Sequence, residues 1–299
     1  MAARTLALVL VASSLAPATA RAGGGEDRGE CGDCRTRDWI MAEPGVGPEV
    51  GALARLELGT TGLGLDDAAG GQAVTAGFAR LRLGVALAHG LGVRASGTVQ
   101  ALNAARAEFP FALGADAGGA VGLGVSKLVA KLEHGDVPVA FTLDGELASG
   151  PAVRSGLGLR TFADGRRYTV APGLATAWDF YGGSARGHVR YLRTRADDGA
   201  PDAAAVELGL GASMRINWGE QFWGGDWPLE AWLDCRYRRG LGADGDARED
   251  EVRGGLDYTP GHRLDRVGVQ LAGGTDHLAG GRTAHALTML LTLQYGQGR

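Results

Sequence analysis

The residues best placed to do chemistry in this chain recur at intervals of two. Arg186, His188 and Arg190 alternate with Gly187 and Val189, and Arg80 and Arg82 flank Leu81. Glu230, Asp234, Arg236 and Arg238 share one phase of their stretch. An extended chain sends successive side chains to opposite faces, so each set lies on a single face. Acids and bases on neighbouring extended segments pair across the gap. An excess of arginine along such a face attracts and guides small anions instead. A different chemistry is open to Cys31-Gly-Asp-Cys34. In an exported chain two cysteines at this spacing form a small disulfide loop. A soft metal ion such as Cu(I) is the alternative, with Cys31 and Cys34 as its only thiolates. Arg35 stands where haem attachment needs a histidine.

Catalytic patterns are sparse. The six histidines are His89, His134, His188, His262, His277 and His285, and most fall in expected turns or loops. Only His188 is expected on a polar strand face, and no serine, cysteine or aspartate is placed to act with it as a nucleophile. G-x-S-x-G, H-E-x-x-H and P-loop patterns are absent. An enzyme is not expected, and no cofactor is implied.

The element that must position these residues is clearest at 204–218. Ala204, Val206, Leu208, Leu210, Ala212, Met214, Ile216 and Trp218 alternate with Ala205, Glu207, Gly209, Gly211, Ser213, Arg215 and Asn217. Soluble strands usually stop at about five or six residues, whereas this one is long enough to span a bilayer. Composition agrees. Glycine makes up 52 of 299 residues, proline only 10, and hydrophobic residues 45%. No G-x-y period suggests collagen, and strands that are apolar on one face average to neutral hydropathy. A net charge of -4 gives no reason to expect nucleic acid.

Residues 1–22 read as a signal peptide. Arg4 precedes an apolar run over 6–15, with small residues Ala18-Thr19-Ala20 at a cleavage site and a second site after Ala22. Ser13, Ser14 and Pro17 break the run too early for a membrane helix. Residues 23–48 form a separate glycine- and charge-rich segment, expected in the periplasm. From 49 to 299 the alternation predicts an all-β, closed antiparallel transmembrane barrel of about twelve strands, closed by the C-terminal strand. A further candidate strand at 154–162 is assigned to a loop. An even count keeps both termini on one side, with tight turns such as His89-Gly90 and His134-Gly135 there. Longer loops, at 61–72, 105–116, 148–166, 195–203, 240–249 and 276–281, then fall on the other side.

Aromatic residues support this arrangement. Trp178, Phe180, Trp218, Tyr258 and Tyr295 cluster at strand ends on the terminal side, and Tyr168, Tyr191 and Tyr237 at the opposite ends. Two outward girdles mark two membrane interfaces. The inner face collects Arg55, Arg80, Arg82, Arg94, Arg186, Arg190, Arg215, Arg236, Arg238, Arg253 and Arg266, with His188. Facing these are Glu57, Asp144, Glu146, Glu207, Glu230, Asp234, Glu251 and Asp257. Most should pair across strands. The surplus of arginine is the candidate substrate pathway, with Arg186 and Arg190 flanking His188 as its centre. Cys235 falls on the apolar face and is expected to meet lipid.

The stretch Phe78-Ala-Arg-Leu-Arg-Leu-Gly-Val-Ala-Leu-Ala-His-Gly-Leu-Gly-Val-Arg is similar to a strand, tight turn and strand of twelve-stranded outer-membrane transporters. So are Lys127-Leu-Val-Ala-Lys-Leu, Val137-Pro-Val-Ala-Phe-Thr-Leu and Ser149-Gly-Pro. The chain resembles the meta-pathway-of-phenol-degradation transporters over most of 50–299. That resemblance implies an outer-membrane channel of a Gram-negative bacterium for small organic solutes, aromatic or anionic ones among them. It carries no catalytic residues. The partners expected are outer-membrane lipid, a small organic solute and the barrel-assembly machinery, with the protein a monomer. The competing class is a structural or surface-interaction barrel that conducts nothing.

Overall fold

Period-two alternation is carried through the whole C-terminal region, and its physical consequence is a closed sheet. A computed structural model describes residues 51–66, 72–87, 90–105, 116–132, 137–149, 166–180, 183–197, 202–216, 229–241, 247–258, 266–277 and 283–298. The expectations for 1–48, including the signal peptide and Cys31–Cys34, lie outside these residues, as does 154–162. Twelve strands are present: β1 (Gly51–Asp66), β2 (Gln72–Leu87), β3 (Leu91–Ala105), β4 (Asp116–Leu132), β5 (Val137–Ser149), β6 (Arg166–Phe180), β7 (Gly183–Ala196), β8 (Ala203–Ile216), β9 (Leu229–Leu241), β10 (Arg248–Tyr258), β11 (Arg266–His277) and β12 (Thr283–Gly298). Each pairs with its sequence neighbours, and β1 pairs antiparallel with β12, so the barrel closes. The twelve expected strands are the twelve observed.

Closure explains the surface. Leu123 and Leu210 are each 71% exposed, and Val99, Val269, Leu287 and Leu256 also stand outside. A continuous apolar exterior of this kind is incompatible with water, and lipid is the solvent that suits it. A closed sheet also leaves no edge, so every strand can satisfy its backbone polar groups in a hydrocarbon phase. Tyr168, Tyr191 and Tyr237 face outward at the end away from the termini, and Tyr258 and Tyr295 at the end near them. The side chains of Trp178 and Phe180, and all of Trp218, lie outside the described residues. Cys235 is exposed and free, on the outward phase.

Three local features depart from simple alternation. Register shifts between Leu128 and Ala130, so the broken phase at Lys127 and Lys131 marks a β-bulge that adds one residue to β4. Between β6 and β7 the pairing runs from Val170–Arg193 to Gly173–Arg190, skipping Ala171 and Pro172. Pro172 has no N–H to give a ladder. Gly90, the turn residue before β3, has φ of 68°, which glycine adopts without steric cost. Strands also run further than the alternation indicated. β1 reaches Asp66, so the loop expected from 61 begins at 67. The connection expected at 219–227, the one turn on the terminal side not expected to be tight, falls between β8 and β9.

Candidate functional site in the barrel lumen

The lumen inherits the polar phase of every strand. Glycines on this phase decide which charges can meet, because a residue without Cβ lets a long side chain lie across its strand. Arg94 on β3 donates to Asp144 Oδ1 on β5 at 2.5 Å, stepping over Gly124 of β4. A Cβ at Gly124 would stand 2.9 Å from the Arg94 guanidinium. Arg190 on β7 lies across Gly173 of β6, where an added Cβ would be 2.5 Å from Arg190 Cγ, and its Nη1 is 3.6 Å from Asp144 Oδ2. Arg186 on β7 crosses Gly211 of β8 to form a two-point pair with Asp234 on β9, with Nε 2.7 Å from Oδ1. At these three positions a spacing of two strands is bridged across a glycine.

Glu207 is the centre of the densest cluster and is fully buried. Its Oε1 accepts from Arg190 Nε at 2.9 Å and also from Arg190 Nη2. His188 Nε2 lies 3.0 Å from the same oxygen. Oε2 accepts from Arg238 Nη2 at 2.5 Å, and Arg238 Nη1 donates to Glu249 Oε2 at 2.7 Å. Arg236 Nε stands 3.9 Å from Oε1. The result is an alternating chain of charge, Arg94–Asp144–Arg190–Glu207–Arg238–Glu249, running around the wall from β3 to β10. Buried ion pairs of this kind persist only when each charge has partners to replace lost water. Here each inner member has two.

A second cluster sits on β1 and β2. Glu57 has three guanidiniums around it, Arg55 at 3.2 Å, Arg80 at 3.4 Å and Arg82 at 3.4 Å. Arg80 Nε also donates to Thr98 Oγ1 at 3.1 Å. Here one carboxylate faces three cations, and Arg55 and Arg82 are directly opposite each other in the register. Elsewhere Arg266 donates to Glu230 at 2.8 Å and stands 3.9 Å from Asp257, and Arg253 pairs with Glu251 on its own strand.

Arg186 and Arg190, expected at the centre of an arginine ladder, are therefore each tied to carboxylates, as are Arg94, Arg236 and Arg238. Arg82 lies in the cluster with the greater share of cations. Arg215 is opposite Glu230 in the register, and its side chain lies outside the described residues. Alternation could have found further inward groups that the sequence reading omitted. Arg167, Glu249 and Asp276 all fall on the inward phase of their strands. Two inward aromatics are less obvious. Phe78 lies over Gly59 with the Arg80 guanidinium 5.8 Å from its ring centre. Trp232 lies over Gly255, and the Arg186 guanidinium is 5.9 Å from its ring. An aromatic ring covering a cross-strand glycine restores packing that glycine cannot supply, and its face attracts the cation.

Space is limited beside the alternating chain. A cavity lined by Arg186, His188, Asp234, Arg236, Glu251 and Arg253, among others, has about 20 Å³. That volume suits a water molecule.

No family model and no curated protein sequence matches this chain. Solved structures do. The β domain of the Bordetella autotransporter BrkA is similar at a TM-score of 0.51 with 16% identity, over 83% of this chain and 99% of that one. An outer-membrane channel from Pseudomonas putida F1 has the same TM-score with 11% identity, over 83% of this chain and 96% of that one. At such identities the likeness is one of fold: a bacterial outer-membrane β-barrel. One of the two is an autotransporter domain and the other a channel, so role has to be argued from the lumen.

Proposed function

We propose that this chain is a monomeric outer-membrane barrel, folded by the barrel-assembly machinery, that gives small organic solutes a narrow passive or gated route. Small anions are its preferred solutes. The observation that carries this reading is the gathering of Arg55, Arg80 and Arg82 around Glu57 on β1 and β2. Fixed cations along a confined path lower the barrier for anions and raise it for cations. The apolar exterior supports a bilayer location, and the resemblance to phenol meta-pathway transporters supports aromatic solutes such as carboxylated rings. The proposal is of a channel and not an enzyme, with His188 held by Glu207 as part of the wall.

Single-channel recording of the refolded protein in a planar bilayer, with reversal potentials in a salt gradient, tests this. Discrete steps with anion preference are expected. A folded and inserted sample that stays silent would overturn the open route and favour a non-conducting structural barrel. The interlocked pairs around Glu207 and the small cavity beside them favour that second reading.

A further inference from the structure

The outer wall carries its own charge pattern, at the end of the barrel away from the termini. Just beyond the girdle of Tyr168, Tyr191 and Tyr237, the outward phase places Arg166 on β6, Arg193 and Arg195 on β7, Arg239 on β9 and Arg248 on β10. All five are exposed. Arg239 and Arg248 are directly opposite each other in the register, and His277 follows on β11, its Nε2 3.0 Å from Arg248 Nη2. Three carboxylates lie nearby. Asp202 pairs with Arg193 at 3.1 Å, Asp197 accepts from the Tyr168 hydroxyl at 3.5 Å, and Asp250 sits opposite Tyr237. Arg166, Arg195 and Arg239 have no carboxylate within ion-pair distance among the described residues. Among the described side chains, the other half of the barrel shows Thr60, Thr75, Val99, Val121, Leu147 and Ser149 outward near this end.

Like charges placed opposite each other on neighbouring strands repel. Arginines beyond an aromatic girdle also lie at headgroup depth, where the dielectric is lower than in water and a guanidinium pairs strongly with phosphate. We propose that this belt binds the phosphates of a phosphorylated glycolipid in the outer leaflet, of the lipopolysaccharide type. The belt has two parts, Arg166/Arg193/Arg195 on β6 and β7 and Arg239/Arg248 on β9 and β10. The two parts are separated by β8, or roughly 10 Å between β7 and β9. A disaccharide with a phosphate at each end can engage both, whereas a single-phosphate headgroup reaches only one. The proposal rests on the outer-membrane location given above and not on conduction.

The test uses the full-length folded protein in detergent, with lipid retention read by native mass spectrometry. Probes are bis-phosphorylated lipid A, its mono- and dephosphorylated forms, and phosphatidylglycerol. Bis-phosphorylated lipid A is expected to be retained about tenfold better than the mono-phosphorylated form, with R239Q/R248Q and R193Q/R195Q each losing a similar factor. Lys127→Gln, outward at the other end, should change nothing. Equal retention in folded variants, or retention of phosphatidylglycerol as strong as that of lipid A, would overturn the proposal. Should a double variant fail to fold, the comparison of phosphorylated forms on the unaltered protein decides. Membrane fractionation of expressing cells reads location separately, so a barrel in the outer membrane that ignores lipid A sinks the belt alone.

Discussion

The two glutamate clusters in the lumen use the same residue types to opposite effect. Glu207 is one acid in an alternating series, and the arginines around it reach onward to Asp144 and Glu249. Glu57 has Arg55, Arg80 and Arg82 around it on two adjacent strands. Alternation spreads charge along the wall and locks strands together, so the Glu207 region behaves as a structural belt. In the proposed function, the three guanidiniums gathered at Glu57 are where a solute anion would be felt. The difference teaches that counting lumen arginines says little. What matters is whether an acid stands on each side of every one.

The sharpest way to break this comparison is to neutralise each centre. Glu207→Gln would leave Arg190, Arg238 and His188 facing a neutral amide in a fully buried position. Removing one partner of a buried pair costs roughly 3–5 kcal/mol, and the urea midpoint for loss of heat-modifiable gel mobility should fall accordingly. Glu57→Gln should cost less, about 1–2 kcal/mol, because its arginines keep more contact with water. It should also strengthen anion preference. Equal losses for the two variants would erase the distinction between belt and field.

Glycines give the next largest effect. Gly211→Val would drive a side chain into Arg186, whose Nε is 2.5 Å from where the Cβ would stand, and into Asp234. Overpacking of this kind costs about 1–3 kcal/mol. Gly97→Val, with nothing within 4 Å of its Cβ, should be neutral or mildly stabilising. Denaturant midpoints of the two, measured side by side, show whether the glycines under the belt are there to let charges cross.

Selectivity comes third. R80Q/R82Q should lower the anion-to-cation permeability ratio several-fold, read as a shift in reversal potential. R186Q/D234N removes a matched pair and should leave that ratio nearly unchanged. A larger shift from the matched pair would move the solute path to β7–β9.

These contrasts also mark how far the sequence could be read. The barrel was legible because a side chain's face depends only on its parity along a strand, and parity is written in the residues. The phase of Glu207, Arg238 and Arg80 followed directly. Arg190 and Arg238 stand opposite Glu207 on neighbouring strands, but Arg94–Asp144, Arg190–Asp144 and Arg186–Asp234 each join strands that are not neighbours, and alternation alone does not pair these. Which strands can be bridged depends on where Gly124, Gly173 and Gly211 fall in the register, and register is a property of the assembled sheet. The bulge at Leu128 and Ala130 appeared in the sequence only as a broken phase. The outward arginines were missed for another reason: attention to apolar outward sets stops where those sets end.

The last prediction concerns packing contacts at one end of the wall. On β4 to β6 the inward phase is mostly Ala, Gly and Ser, and Leu128 packs against buried Ala140 and Ala175. Gly90 closes this region at the terminal end. Its φ of 68° disfavours any side chain, and a Cβ there would stand 2.5 Å from Leu128 Cβ. Gly90→Ala should therefore destabilise by about 1–3 kcal/mol without changing selectivity. The double variant G90A/L128G separates the two causes, because only loss of the Leu128 Cβ relieves the 2.5 Å approach. If steric conflict with Leu128 dominates, the double variant is less impaired than the sum of the single changes. If backbone strain dominates, the costs add, because shortening Leu128 cannot make a positive φ comfortable for alanine. Either result leaves the charge belt intact, and a fall in anion preference would show that this wall shapes the solute path after all.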